Sequence, residues 1–268
     1  MKFLKKPKKS LGQNFLIDQN IIKKIIKIEN INKNSNVLEI GAGYGSLTKK
    51  IAEEKPKIIF AVEKDSNLVE NLKNYLKDFK NIKIIHNDIF NIIKEKNLSN
   101  NIIVFGNLPY NISTQILVDL VLIKSWPPWY KSLILMFQKE VADRIIAKTK
   151  SKTFGRLSVL CNWRLDVKKH FDVSKNCFFP KPNVDSTILS FKPRKKNKFN
   201  IKNPKNLETV TRILFSNRRK MINKNFKKLF GSNNFVAENL NLNLKQRPEE
   251  LDCDMFYKIT LAYENLFN

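Results

Sequence analysis

An Asn-Leu-Pro-Tyr tetrapeptide at residues 107–110 contains the residue types needed to activate an aromatic amine. The exocyclic amine of adenine is a poor nucleophile because its lone pair is delocalised into the ring. The side-chain oxygen of Asn107 and the carbonyl of Leu108 can accept its two hydrogens, which localises the lone pair towards an electrophile. Pro109 stiffens the turn so that this carbonyl keeps its direction. Tyr110 offers an aromatic face to an extruded base and to a sulfonium.

A glycine-rich segment, residues 41–45, is the second candidate site. Its Gly-Ala-Gly-Tyr-Gly pattern follows the apolar run 37–40, and glycines permit a tight turn and the close approach of a ligand. The spacing differs from the Gly-x-Gly-x-x-Gly of pyrophosphate-binding folds. Taken alone, this pattern is also compatible with a plain strand-to-helix turn, and a bare Asn-x-Pro-Tyr with a proline turn.

Two acidic residues at predicted strand ends favour a functional interpretation of both motifs. Glu63 ends the apolar run 58–62, where an acid can accept hydrogen bonds from ribose hydroxyls. Asp88 follows the run 82–85, where a carboxylate can receive an adenine amine. Taken singly, Glu63 could be a charge that precedes a helix, and Asp88 a helix N-cap. Together with the glycines, they predict a nucleoside pocket for a positively charged, phosphate-free cofactor, which Glu39 would also line.

Apolar runs that alternate with helical spacing predict the elements that position these residues. Strands are predicted over residues 37–40, 58–62, 82–85, 102–105, 133–137, 157–160 and 184–191. Helices are predicted over 19–31 and 47–54, from the N-cap Asp65 onwards, and over 207–229, 235–244 and 255–266. The alternation predicts an α/β fold with a parallel, doubly wound sheet. We expect this domain to span residues 1–193 and a small all-helical domain to span 194–268.

The formal net charge of +26 over 268 residues is unevenly distributed. Residues 194–230 carry 13 basic side chains and one acid, Glu208, whereas residues 231–268 carry three basic and six acidic ones. A general lysine bias would not change so sharply, so the pattern favours a polyanionic partner whose counterions the lysines displace. A solvated, lysine-rich surface is the alternative. The five lysines among the first nine residues either contact phosphates or form a solvated tail.

The sequence also excludes several classes of protein. No apolar run approaches the roughly 18 residues of a membrane span, and no apolar segment of a secretory signal follows the basic start. Neither a disulfide framework nor a metal site is predicted from the separated cysteines and histidines, Cys161, Cys177, Cys253, His86 and His170. We therefore expect a cytoplasmic protein without a bound metal or a membrane partner.

Several motifs, in order along the chain, resemble those of the ribosomal RNA adenine N6-dimethyltransferase family. They occupy residues 9–16, 107–110, 138–144, 154–159, 178–186 and 218–220. Within the family the likeness is greatest to the bacterial small-subunit enzymes, which act on two adjacent adenines in a hairpin loop near the 3′ end of 16S rRNA. Phe154, Lys181 and Asn183 depart from the usual pattern, but they affect a loop edge and not the acceptor atoms.

This resemblance implies a Rossmann-like class I methyltransferase sheet that binds S-adenosyl-L-methionine. It implies cofactor contacts for Asn14, Leu16, Gly41, Glu63, Asp88 and Asn107. The target base would stack between Phe178 and Tyr110, with core packing as the alternative role of Phe178. RNA phosphates would be held by Arg218, Arg219, Lys220 and Lys224.

The resemblance further implies four successive methyl transfers by a monomeric enzyme to 16S rRNA within the immature small ribosomal subunit. Three alternatives stay open. The antibiotic-resistance branch shares these motifs but methylates one adenine of 23S rRNA. DNA adenine methylases use a related Asn/Asp-Pro-Pro-Tyr motif, although this chain has no evident base-reading domain. A non-catalytic RNA-binding or assembly factor would retain the fold, but the intact acceptor and cofactor residues argue against it.

Overall fold

The computed structural model describes residues 8, 12–95, 100–232 and 235–267. The chain divides into two compact units whose segments alternate along the sequence. The first unit comprises Met1–Asp119, Pro128–Ala142 and Lys168–Lys192, and the second comprises Leu120–Pro127, Asp143–Val167 and Pro193–Asn268. The second unit thus takes up two segments before residue 193. The assignment of residues 1–193 to cofactor binding and of 194–268 to RNA binding stays a prediction.

The described part of the chain contains strands and helices with the following bounds. The strands are β1 (Phe15–Leu16), β2 (Asn36–Ile40), β3 (Ile58–Glu63), β4 (Ile82–His86), β5 (Ile102–Asn107), β6 (Tyr130–Gln138), β7 (Leu165–Val173), β8 (Phe178–Phe179) and β9 (Ser186–Pro193). The helices are α1 (Gln19–Ile26), α2 (Ser46–Glu53), α3 (Ser66–Tyr75), α4 (Ile89–Glu95), α5 (Tyr110–Val121), α6 (Lys139–Ile145), α7 (Arg156–Arg164), α8 (Pro204–Leu214), α9 (Asn223–Phe230), α10 (Phe235–Asn239) and α11 (Cys253–Phe267).

A seven-stranded sheet has the order β4-β3-β2-β5-β6-β9-β7. Its first five strands pair in parallel, and β9 pairs antiparallel with β6. Side chains along β2, β5 and β6 are mostly buried, as expected for parallel strands covered on both faces. The predicted α/β fold with a parallel-rich, Rossmann-like sheet is confirmed. The antiparallel β9 departs from a wholly parallel arrangement.

The sheet register brings the predicted site residues to one edge. Ile40 pairs with Val62 on one side and with Gly106 on the other, and Glu63 pairs with His86. The parallel strands therefore end together, and the glycine segment, Glu63 and the residues after β4 and β5 follow at the same edge. The strand order reverses between β2 and β5, which is where open α/β sheets bind their ligands.

Local sequence explains where the helices around this edge begin. Asp18 and Asp65 are the N-caps of α1 and α3, and each accepts hydrogen bonds from backbone amides of the first turn. Helix α2 begins after Gly45, which has a φ of 79°. A Cβ at this position would also lie 2.9 Å from Cδ2 of Leu72, so the conformation favours glycine, and a side chain would require Leu72 to shift.

The strand predicted over residues 157–160 is wrong, because these residues lie in α7. A short apolar run does not distinguish a buried helix from a strand. The hydroxyl of Ser158 accepts a hydrogen bond from the Gly155 amide at 3.2 Å and donates to the Arg144 carbonyl at 2.6 Å, which supports the start of the helix. Strand β7, in contrast, is not predicted, because charged residues such as Lys168 and Lys169 interrupt its apolar positions.

Helices of the second unit pack around aromatic side chains. Phe215 stacks on Phe256 with 5.1 Å between ring centroids, and Phe154 meets Phe215 at 6.2 Å in an edge-on contact. The Tyr257 hydroxyl donates to the Val159 carbonyl at 2.9 Å and ties α11 to α7. Beyond Pro193, the regular elements among the described residues are helical, as predicted. Across the described ranges, no helix combines the length and apolar character that a membrane crossing requires.

Candidate active site

A cavity of about 250 Å³ opens at the carboxyl edge of the parallel strands in the first unit. Five predicted cofactor residues line it: Asn14, Gly41, Glu63, Asp88 and Asn107. Leu16 does not line this cavity. It is buried in β1 and lines a smaller cavity of about 40 Å³, together with Glu39. The two cavities share Phe15, Gly41, Gly43 and Asn107.

The glycine loop presents bare backbone to the cavity. Gly41 and Gly43 have φ values of 72° and 56°, in the left-handed region that favours glycine. A Cβ built on Gly41 would meet nothing within 4 Å, so the backbone there faces open space. A Cβ on Gly43 would lie 3.0 Å from the ring of Phe15, which packs directly over this position. Gly41 is therefore the point at which a ligand can approach the backbone closely.

Glu63 is held in place by three backbone amides. Its Oε2 accepts from Gly43 at 2.9 Å, and its Oε1 accepts from Lys64 and Asp65, both at 2.9 Å. Burial raises the pKa of the Glu63 carboxyl, and these hydrogen bonds offset only part of that rise. A carboxylate oxygen can accept more than one hydrogen bond, so Oε2 keeps capacity for a hydroxyl of a ligand.

Asp88 lies directly before α4, and each of its carboxylate oxygens has a polar partner. Its Oδ1 accepts from the Phe90 amide at 3.1 Å, and its Oδ2 lies 2.8 Å from Nζ of Lys64. Partial burial acts to raise the pKa of Asp88, but the hydrogen bonds from Lys64 and Phe90 outweigh it, and the pKa is lowered overall. Asp88 is thus ionised at neutral pH and can accept hydrogen bonds.

Asn107 has a fixed amide orientation. Its Nδ2 donates to the carbonyl of Asn14 at 2.9 Å, and a carbonyl can only accept, so this contact distinguishes the two ends of the amide. Among the described residues, neither Oδ1 of Asn107 nor the carbonyl of Leu108 accepts a hydrogen bond. The carbonyl of Pro109 accepts from the amides of residues 112 and 113, which fixes the turn. Oδ1 of Asn107 and the carbonyl of Leu108 are thus two acceptors in a rigid turn, and both can still accept hydrogen bonds.

Tyr110 and Phe178 lie outside the set of residues that line the larger cavity. The Tyr110 hydroxyl lies 2.6 Å from Oγ of Ser186, and burial raises the pKa of this tyrosine. Phe178 is 3% exposed, belongs to the core of the first unit, and pairs with Leu16 between β8 and β1. Base stacking by these two rings stays a prediction, and Phe178 here occupies the core position that was its alternative.

The predicted RNA-binding residues divide into two groups. Arg218 is engaged within the second unit: its Nε lies 2.8 Å from Oε2 of Glu249, and its guanidinium also donates to the carbonyls of Ser151 and Lys152. The other three are exposed and form no ion pair within the described ranges, namely Arg219, Lys220 and Lys224. Of the N-terminal lysines, only Lys8 falls within the described residues.

The polar residues that line the cavity but were not predicted from the sequence include Lys64 and Asn111. Each is adjacent to a predicted feature, because Lys64 follows Glu63 and Asn111 follows the tetrapeptide. Their spatial role is not evident from residue type, since an isolated lysine or asparagine at these positions is also typical of an exposed turn. Among the described residues, no three His, Cys, Asp or Glu side chains come together as a metal site would need.

The sheet order and the site at its carboxyl edge define a class I methyltransferase fold. A solved dimethyladenosine transferase from Plasmodium falciparum superposes with a TM-score of 0.76 at 27% identity and covers 94% of this chain and 98% of that one. The fold is also that of the 23S rRNA methyltransferase ErmE, with a TM-score of 0.67, 19% identity, and coverage of 93% and 99%.

The particular family follows from the sequence comparison. The family model for ribosomal RNA adenine dimethylase matches residues 4–264, and the chain belongs to this family. The ribosomal RNA small subunit methyltransferase A of Pelagibacter ubique is 48% identical over 261 residues, 97% of this chain and 98% of that protein. The protein of the same name from Levilactobacillus brevis is 36% identical over 271 residues, with coverage of 96% and 90%. The resemblance inferred from the motifs is confirmed.

Proposed function

We propose that this protein transfers methyl groups from S-adenosyl-L-methionine to N6 of two adjacent adenines in a hairpin loop near the 3′ end of 16S rRNA. Family membership and the names of relatives at 36–48% identity support this substrate. The observation that carries the chemistry is the pair of unbonded acceptors on Asn107 and Leu108, beside a cavity of about 250 Å³.

The residues of the cavity fit the proposed cofactor. The open backbone at Gly41 leaves room for a ligand that a side chain would exclude. Glu63 would accept from the ribose and Asp88 from the adenine amine. When bound, the cofactor supplies an electrophilic methyl carbon.

The acceptor pair would prepare the target base for attack. Oδ1 of Asn107 and the Leu108 carbonyl accept the two N6 hydrogens, and the nitrogen lone pair then points out of the ring plane. This lone pair forms the N–C bond as the C–S bond breaks, and S-adenosylhomocysteine leaves. The ammonium formed on the base is acidic and loses its proton to water, so no general base is needed. After the first transfer, the remaining N6 hydrogen must be presented to the same acceptors.

The RNA would be held by the exposed cations of the second unit, Arg219, Lys220 and Lys224, through phosphate contacts. Stacking of the extruded base between Tyr110 and Phe178 remains part of this proposal, and it requires Phe178 to leave its buried position. We further propose that the protein is a cytoplasmic monomer. It would act on the immature small ribosomal subunit, because the methylated loop belongs to that particle.

The test is mass mapping of methylated nucleotides after incubation of the protein and S-adenosyl-L-methionine with unmethylated small subunits and, in a separate reaction, with naked 23S rRNA. We expect four methyl groups on two adjacent adenines. Methylation of one adenine in naked 23S rRNA instead would point to the antibiotic-resistance branch. Tight binding to the subunit without methyl incorporation would point to a non-catalytic assembly factor.

A further inference from the structure

Asp65 has more polar partners than a helix cap requires. Its Oδ1 accepts from the amide of Asn67 at 3.1 Å, which is the capping contact of α3. The same oxygen lies 2.9 Å from Nζ of Lys8, and Oδ2 accepts from Nε2 of Gln13 at 3.2 Å. Two of its three donors therefore come from a segment 52 and 57 positions earlier in the chain.

Residues 12–15 of that segment line the larger cavity, and the described part of the segment is fixed at three places. At its C-terminal end, β1 pairs with β8. In its middle, the carbonyl of Asn14 accepts from Asn107. At its N-terminal end, the Gln13 side chain donates to Asp65 and accepts from the Lys8 amide at 2.8 Å. Within the described residues, the hydrogen bonds of Lys8 and Gln13 to the rest of the unit all end on Asp65.

Asp65 is also connected directly to a residue of the cavity. Its backbone amide donates to Oε1 of Glu63 at 2.9 Å. The Asp65 side chain is 3% exposed, whereas the Lys8 side chain is 46% exposed. A buried carboxylate loses its hydration, and the three donors replace the lost water. A helix N-cap does not need to be buried. The burial of Asp65 and its additional donors, Lys8 and Gln13, therefore indicate a second role.

We propose that Asp65 is a positioning residue that holds the N-terminal segment over the bound cofactor and slows cofactor release. This inference rests on the proposed function, which places S-adenosyl-L-methionine in the cavity. Gln13 and Asn14 are part of the wall, so a ligand leaving on this side must displace them. Loss of the anchor therefore raises the dissociation rate constant more than it lowers the association rate constant.

The anchor keeps its charge at neutral pH. Burial acts to raise the pKa of Asp65, but the hydrogen bonds from Lys8, Asn67 and Gln13 outweigh it and lower the pKa overall. The Asp65 carboxylate is therefore ionised at neutral pH and available to Lys8.

The experiment compares Lys8→Met, Lys8→Arg and Asp65→Asn with the parent chain. Lys8→Met removes the ion pair and leaves the α3 cap intact, whereas Asp65→Asn keeps one cap oxygen and removes the charge. Lys50→Met is the matched control, because Lys50 forms an ion pair with Glu53 at 2.6 Å in the same unit, and neither residue lines the cavity. Binding and release of S-adenosylhomocysteine are followed by calorimetry and stopped-flow fluorescence, and stability by urea unfolding.

We expect Lys8→Met to raise the dissociation rate constant about threefold and Asp65→Asn to raise it about tenfold. Lys8→Arg should restore the parent value, and Lys50→Met should not change it. For Lys8→Met, the urea midpoint should equal that of the parent, which separates positioning from a general loss of stability. Unchanged release from both Lys8→Met and Asp65→Asn would overturn the inference. Failure of the parent chain to bind S-adenosylhomocysteine would instead contradict the proposed function.

Discussion

The hydroxyl oxygens of Tyr110 and Ser186 lie 2.6 Å apart, although the two residues are 76 positions apart in the sequence. Tyr110 is the first residue of α5 and the last of the acceptor tetrapeptide. Ser186 is fully buried at the start of β9. This contact fixes the tyrosine ring to the sheet, and it connects the acceptor turn with the segment that carries Phe178.

Removal of the Ser186 hydroxyl should loosen this connection. We expect Ser186→Ala to lower the rate of methyl transfer about threefold to tenfold and stability by about 1 kcal/mol, because one hydrogen bond is lost. The affinity for S-adenosylhomocysteine should not change. Single-turnover kinetics of Ser186→Ala, Tyr110→Phe and the double variant form the test. If the two effects add fully in the double variant, the hydroxyls do not act as a pair.

Asn107→Ala should remove one of the two acceptors. We expect the single-turnover rate of methyl transfer to fall by about 100-fold or more, as when a single preorganised hydrogen bond to a transition state is deleted. RNA affinity should be retained, because the exposed cations of the second unit are unchanged. Asn74→Ala is the control, since it deletes an exposed amide of the same unit that does not line the cavity. Near-normal methylation by Asn107→Ala would rule out the acceptor role.

Glu63→Ala should weaken cofactor binding more than RNA binding. The loss removes the proposed ribose acceptor and leaves the amides of Gly43, Lys64 and Asp65 without their partner. We expect the dissociation constant of S-adenosylhomocysteine to rise about tenfold or more. Calorimetry and RNA filter binding on the same preparation compare the two affinities, and an unchanged cofactor affinity would exclude Glu63 from the site.

Arg218 and Arg219 should respond differently to replacement by alanine. Arg219 is exposed, so its loss should lower the salt dependence of RNA binding by about one unit per phosphate contact and leave stability unchanged. Arg218 is ion-paired with Glu249, and its loss should lower stability by up to about 1 kcal/mol. RNA binding at several salt concentrations and urea unfolding measure the two effects. If neither variant alters the dependence of RNA affinity on salt concentration, Arg218 and Arg219 do not belong to the RNA interface.

Glu39 should make stability depend on pH. Burial raises the pKa of Glu39 to about 8, the hydrogen bond from Thr48 lowers it, and the charge of Glu63 raises it. The folded state therefore binds a proton more tightly than the unfolded chain, for which the pKa is 4.5. The Glu39 contribution is favourable below pH 4.5, and it is lost as the pH rises towards 8, by at most about 1.4 kcal/mol per pH unit.

Glu39→Gln should remove this dependence, because the amide does not titrate and keeps an oxygen for Thr48. Urea unfolding of the cofactor-free parent and variant from pH 5 to 8 measures the difference. Parallel stability curves for the two proteins would show that Glu39 is ionised throughout.

The positions of Gly41, Glu63, Asp88 and Asn107 could be predicted because strand ends are a local property. Each residue follows an apolar run, and parallel strands bring their ends to one edge. The residue types then restrict the chemistry. The sequence cannot predict contacts between distant segments, such as the amide of Asn107 on the Asn14 carbonyl. The sequence could therefore predict that Asn107 and Leu108 offer two acceptors, but it could not predict the fixed orientation of the Asn107 amide.

The difficulty of predicting contacts between distant segments also explains the other differences between the predicted and the observed structure. Arg218 and Arg219 are adjacent and chemically alike, but only Arg218 has Glu249 within reach, 31 positions along the chain. Phe178 and Phe179 are also alike, and the strand pairing of β8 decides which is 3% and which is 41% exposed. The run 157–160 lies in a helix whose start is supported by the hydrogen bond from Ser158 to the Arg144 carbonyl, a contact that periodicity does not show.

The alternation of segments restricts how this chain can be divided. Helix α7 belongs to the same unit as α8 and α11, with Arg156 paired to Glu208 at 2.6 Å and Val159 bonded to Tyr257. A fragment that begins at residue 194 would lack those partners and expose apolar surface to water. Chimaeras that exchange the second unit between relatives must therefore transplant three separate stretches of sequence together. While the chain is being synthesised, the second unit cannot complete its core until α11 has left the exit tunnel of the translating ribosome.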